Sequence, residues 1–92
     1  MRYFDWNEHK NNLLKKTRKI SFEEIIFFIS KGNLLEVIEH PDKNKFPNQK
    51  MLIVEVRDYV YIVPFVEEND KYFLKTIYPS RTATKKYLSK EE

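Results

Sequence analysis

The residues with the most chemical potential are concentrated near the carboxyl end of the chain. A β-prone stretch that contains Lys75 and Tyr78 leads directly to Arg81, and no carboxylate occurs in positions 71–90. Cations, hydroxyls and phenols at one strand-to-helix junction suit a polyanion better than a metal ion or a neutral metabolite. RNA is therefore the leading substrate hypothesis.

These residue types match the needs of RNA cleavage by the RNA's own 2′-hydroxyl. That reaction requires removal of the 2′ proton, a cation for the phosphorane and an acid for the leaving 5′ oxygen. Arg81 offers a bidentate guanidinium for the phosphate. Lys75 can add charge, or act as a base where burial favours its neutral form. Tyr78 or Tyr87 can stack on a base or donate a proton.

Further hydroxyls and lysines are candidate phosphate contacts, and the helix that starts near Arg81 adds its dipole. They are Ser80, Thr84, Lys85, Lys86, Lys15 and Lys16. Plainer alternatives exist for the main candidates. Arg81 can form a salt bridge with an acid of the first helices, Lys75 can be a solvent-facing strand residue, and Tyr78 can belong to the core.

The net charge of +3 is unevenly distributed. Residues 1–20 carry a net +4, residues 21–70 a net −5 and residues 71–92 a net +4. If the two ends meet in space, they form one basic surface that attracts phosphates by counterion release. The alternative is two basic helix faces that point in different directions.

Several classes of function are not expected from this composition. The chain has no cysteine, one glycine and only two histidines, His9 and His40, so we expect neither a metal site nor a cofactor site. The lack of cysteine favours a reducing cytoplasm. No apolar run approaches the roughly 20 residues of a membrane helix, and no signal peptide is evident.

The first part of the chain predicts two helices. One covers residues 8–16, with Asp5 or Asn7 as its N-cap. The next begins with a capping box formed by Ser21 and Glu24 and ends at Gly32 in a left-handed conformation.

From residue 34 the hydrophobic period changes to two, which predicts strands. The predicted strands are residues 34–39, 51–56, 59–66 and 72–78, and a helix follows from Ser80 to about Lys90. We therefore predict one α+β domain over residues 1–92, with two N-terminal helices, a four-stranded antiparallel meander and a C-terminal helix. Pro64 lies inside a strand, where it predicts a bulge or a local edge.

Taken together, three stretches resemble the BrnT-type toxins of type II toxin–antitoxin systems. They are residues 3–12, residues 16–24 ending in the Ile-Ser-Phe-Glu-Glu sequence, and residues 80–87 with Ser-Arg-Thr-Ala-Thr-Lys-Lys-Tyr. The resemblance implies a RelE-like ribonuclease fold, cleavage of mRNA, including mRNA on the ribosome, and inhibition of translation. It also implies a hetero-oligomer with a DNA-binding antitoxin.

The resemblance assigns roles to a few positions of this chain. Arg81 matches the arginine of the family's motif, and Lys85, Lys86 and Tyr87 match its basic tail. The family's other strand arginine corresponds to Thr76, so only the neighbouring lysine is cationic here. This difference leaves open the alternative of an RNA- or antitoxin-binding module that does not cleave.

Overall fold

The computed structural model describes residues 3–89. In chain order its elements are β1 (Tyr3–Trp6), α1 (Glu8–Thr17), α2 (Phe22–Ser30), β2 (Leu34–Glu39), β3 (Gln49–Val56), β4 (Tyr59–Glu68), β5 (Lys71–Leu74), β6 (Tyr78–Pro79) and α3 (Arg81–Leu88). The strands form one sheet in the order β1-β5-β4-β3-β2, and β6 also pairs with β4. The predicted end of the last helix near Lys90 lies outside the described residues.

The predicted fold class is wrong in its strand count and in its first element. The described chain begins with a strand, and β1 runs parallel to β5 with Tyr3 beside Lys71. The sheet is therefore mixed and six-stranded, and it is not a four-stranded antiparallel meander of the predicted RelE-like type. A four-residue strand shows almost no periodicity, and its partner lies at the other end of the sequence, so local patterns do not reveal it.

The strand predicted at residues 72–78 is interrupted. Leu74 pairs with Phe65 of β4 and Tyr78 pairs with Ile62, so three residues of one strand oppose two of the other. This is a β-bulge. The bulge faces Pro64, whose carbonyl accepts the Lys75 N–H at 2.8 Å.

The position of Pro64 explains why the sheet tolerates it. Pairing between β3 and β4 continues through Pro64, which lies opposite Met51. In a strand the N–H and C=O of one residue point to the same side, so the donor that proline lacks would have faced the bulge. The expected irregularity therefore occurs in the neighbouring strand and not in β4.

Helices cover both faces of the sheet. Leu52, Val54 and Val56 of β3 pack with residues of α1 and α2, and we call this side the α1/α2 face. Met51 and Ile53 alternate with them and pack with α3, on the side we call the α3 face. Alternation along one strand thus separates the two N-terminal helices from the C-terminal helix.

Several local predictions are confirmed. The side chain of Asn7 accepts the Lys10 N–H and caps α1, and Ser21 with Glu24 forms the predicted capping box of α2. Gly32 follows α2 with φ of +93°. Among residues 3–89, no helix has the length and apolar content needed to span a bilayer.

The joint between α1 and α2 depends on a buried asparagine. The Asn11 Oδ1 accepts the backbone N–H of Phe22 at 2.8 Å, and its Nδ2 donates to Glu23 at 2.7 Å. Asn11 is fully buried. It therefore satisfies an N–H at the start of α2 that the helix itself leaves unpaired.

Candidate nucleic-acid interface

Lys75 and Tyr78 lie on the α3 face. The residues on either side of Phe73, Tyr72 and Leu74, pack in the core of the α1/α2 face, so Phe73 points to the α3 face. The Lys75 Nζ lies on the same side, 5.4 Å from the Phe73 ring centroid. The Tyr78 hydroxyl donates weakly to the Met51 Sδ at 3.9 Å. In a regular strand these two side chains would point to opposite faces. Because the bulge adds one residue, they point to the same face.

Arg81 is the first residue of α3 and is exposed. Within residues 3–89 its side chain forms no hydrogen bond and no ion pair. The predicted alternative, a salt bridge to an acid of the first two helices, is therefore absent from the described part of the chain. An exposed guanidinium at a helix N-terminus can bind an anion without first breaking an internal contact.

The hydroxyls of Ser80 and Thr84 have structural partners. The Ser80 Oγ accepts the Ala83 N–H at 3.0 Å and caps α3. The Thr84 Oγ1 accepts the Val60 N–H at 2.9 Å and donates to the Ser80 carbonyl at 2.7 Å. Both residues therefore fix the start of α3 on β4, which positions Arg81 indirectly.

Tyr87 also has a partner. Its hydroxyl donates to the Glu36 carboxylate, so α3 is tied to β2. This hydrogen bond, with smaller effects of burial and of the Glu36 charge, raises the pKa of Tyr87 above its ordinary value. The Tyr87 proton is therefore engaged by Glu36, and donating it to a substrate requires this hydrogen bond to break. Lys85 and Lys86 are exposed, and the Lys86 Nζ lies 5.3 Å from the Tyr87 ring centroid.

Lys15 and Lys16 are exposed on α1, which packs on the opposite face of the sheet from α3. The two predicted groups of RNA-binding lysines therefore do not form one continuous surface with each other. A contact between the two ends of the chain on the way to the bulge is made by Arg18, which ends α1 and donates to the Ile77 carbonyl. No local pattern in the sequence indicates this contact, because the two residues are 59 positions apart.

Sequence and structural comparisons add no relative to this description. No family model, no curated protein and no solved structure shows a significant match to the chain. The functional argument therefore depends on the residues of this chain and on their geometry.

Proposed function

We propose that this chain is the toxin of a type II toxin–antitoxin system, of the BrnT type, and that it cleaves mRNA in the cytoplasm. The observation that supports the proposal most strongly is the state of Arg81. It is exposed at the start of α3, has no partner among residues 3–89, and follows closely on Lys75 and Tyr78 of the same face.

In the proposed reaction the 2′ oxygen bonds to phosphorus while the bond to the 5′ oxygen breaks. Arg81 binds the scissile phosphate and stabilises the charge of the phosphorane. Lys75 is exposed, so we assign it to added charge and not to proton abstraction. Tyr78 donates the proton to the 5′ oxygen, and solvent takes up the 2′ proton. The products are a 2′,3′-cyclic phosphate and a 5′-hydroxyl.

The proposed partner is an antitoxin with a DNA-binding domain, which forms a hetero-oligomer with this chain. Its inhibitory segment would be acidic, because it must compete with RNA for exposed cations of the α3 face. Lys75, Arg81, Lys85 and Lys86 are the candidate cations.

One observation favours a second candidate function, in which the same surface binds RNA or the antitoxin without cleaving. Two of the four groups proposed for catalysis are poorly placed for proton transfer. Lys75 is not buried, and the Tyr87 hydroxyl is held by Glu36. Such a protein would keep its affinity for RNA and lack turnover.

The two functions are separated by analysis of RNA ends. Purified protein is incubated with translated mRNA in EDTA, with and without ribosomes, and the products are mapped and tested for 2′,3′-cyclic phosphate. The nuclease proposal predicts discrete cuts that carry this group. Intact RNA under both conditions, together with measurable RNA binding, would instead support the non-cleaving module.

A further inference from the structure

Lys19 has an unusual backbone conformation for its residue type. Its φ is +57°, in the left-handed region that favours glycine. Three other non-glycine residues have positive φ, and two of them, Asp58 and Asn69, are of the types that tolerate it. The third, Arg57, is the first residue of the two-residue turn between β3 and β4, where positive φ is the rule.

Lys19 directly follows the C-cap of α1, a position where a left-handed conformation is common and glycine is the usual residue. Its side chain is exposed and forms no hydrogen bond or ion pair within residues 3–89. A glycine would follow α1 with less strain, and an observed outlier of this kind is grounds for a functional hypothesis.

Lys19 directly follows Arg18, whose guanidinium donates to the Ile77 carbonyl just before β6. β6 pairs with β4 on one side only, and its Pro79 has no N–H to offer on the other. Another strand therefore cannot pair fully along this edge. The edge is therefore open to a ligand that contacts the protein side chains beside it and does not pair with its backbone.

Two tyrosines lie beside the same edge on the α1/α2 face. Tyr61 is the direct partner of Pro79, and Tyr59 is the partner of Val56, which belongs to the core of that face. Both residues are partly buried, Tyr61 against the core of that face, and their rings meet edge to face with centroids 6.0 Å apart. Neither hydroxyl forms a hydrogen bond within residues 3–89.

We propose that Arg18, Lys19, Tyr59 and Tyr61, here called the β6-edge patch, bind single-stranded RNA. Lys19 and the remaining N–H donors of Arg18 contact phosphate, and the two rings stack on unpaired bases. The RNA then crosses the edge of the sheet towards Arg81 on the α3 face. This inference rests on the proposed function and adds to it that the substrate is unpaired, because paired bases do not expose their faces for stacking.

The test measures binding without cleavage. The full-length protein is titrated into a labelled 2′-O-methyl RNA 12-mer, which has no attacking hydroxyl, and into the same strand annealed to its complement. Fluorescence anisotropy at several salt concentrations gives Kd and the salt slope. The patch variants are Lys19→Gly and Tyr61→Leu. The matched controls are Lys45→Gly in the β2–β3 loop and Tyr3→Leu in β1, which alter an exposed lysine and an exposed tyrosine at the far end of the sheet.

We expect the single strand to bind at least about tenfold more tightly than the duplex. Lys19→Gly should weaken binding about threefold to tenfold and reduce the salt slope by about one. Tyr61→Leu should weaken binding by about five- to fiftyfold with an unchanged slope. Because glycine relieves the strain at position 19, the first variant should unfold no earlier than the wild type, so its weaker binding cannot be attributed to unfolding.

Equal affinity for strand and duplex, or patch variants that bind like their controls, would overturn the inference. If the inference fails in this way and the patch variants still cleave RNA at the normal rate, the proposed nuclease function is supported without the β6-edge patch. If binding depends on the patch but no RNA is ever cleaved, the inference is supported and the nuclease function fails.

Discussion

Lys75 and Tyr78 point to the same face of the sheet although they are three positions apart, an odd spacing that would place them on opposite faces of a regular strand. The bulge at Thr76 and Ile77 produces this arrangement, and it lies opposite Pro64 of β4. Ile77 fills the core of the α1/α2 face and its carbonyl is held by Arg18. The bulge is thus fixed from both sides, and the candidate site depends on it.

The fixed bulge leads to a prediction for Pro64. Replacing it with valine introduces an N–H that faces the bulge and finds no partner there. We expect Pro64→Val to cost about 1–3 kcal/mol of stability, the usual cost of a buried unpaired donor. Native-state hydrogen exchange should show a fast amide at position 64, with slow amides at Val63 and Phe65, which face β3. A protected amide at position 64 would show that the proline, and not the core packing of Ile77, maintains the bulge.

Removal of the buried amide at the α1–α2 joint should be severe. Asn11→Ala leaves the Phe22 N–H without its partner and removes the hydrogen bond to Glu23. We expect a loss of about 2–3 kcal/mol in urea unfolding. Asn12→Ala, one residue along and exposed, is the control and should change stability by less than about 0.5 kcal/mol. Similar losses for both variants would disprove the special role of Asn11.

The same contact gives a pH dependence. The hydrogen bond from Asn11 is the main cause that lowers the pKa of Glu23 below its ordinary 4.5, with smaller help from the Lys15 charge. A lowered carboxyl pKa stabilises the fold above the ordinary value, and this contribution is lost as the pH falls through the folded-state pKa. Between pH 6 and pH 3, the wild type should therefore lose more stability than Asn11→Ala. Parallel losses in urea titrations at each pH would contradict this assignment.

Tyr87 should prove to be structural. Its hydroxyl ties α3 to Glu36, so Tyr87→Phe should loosen the end of α3 while RNA cleavage stays within about threefold of the wild type. The raised pKa of Tyr87 means that this tie stabilises the fold below the ordinary phenol value of 10.0 and is lost as the pH rises through the folded-state value. The absorbance of phenolate during alkaline titration tests this. A large loss of cleavage in Tyr87→Phe, with unchanged stability, would show instead that the Tyr87 hydroxyl takes part in catalysis.

Local signals in the sequence predict local structure well in this protein. The capping box at Ser21 and the left-handed Gly32 are both confirmed, because each depends on residues a few positions apart. The parallel pairing of β1 with β5 joins the two ends of the chain, so no local pattern encodes it.

The candidate site shows the same limit. The alternation of residues 72–78 suggests one strand, and the break opposite Pro64 is fixed by the core packing of Ile77 and by its contact with Arg18 from a distant part of the chain. Likewise, hydroxyls near the cations suggested phosphate contacts. The Thr84 hydroxyl, however, accepts a hydrogen bond from Val60 of β4 and donates one to the Ser80 carbonyl. Which polar groups remain available depends on tertiary contacts that composition does not reveal.

The most direct measurement is the single-turnover rate of RNA cleavage by Arg81→Ala, compared with wild type and with Lys45→Ala, which removes an exposed cation at the opposite end of the sheet. Loss of a group that stabilises the phosphorane should slow cleavage at least about a hundredfold, with unchanged thermal unfolding and a normal rate for the control. Cleavage by Arg81→Ala at the wild-type rate would contradict the account.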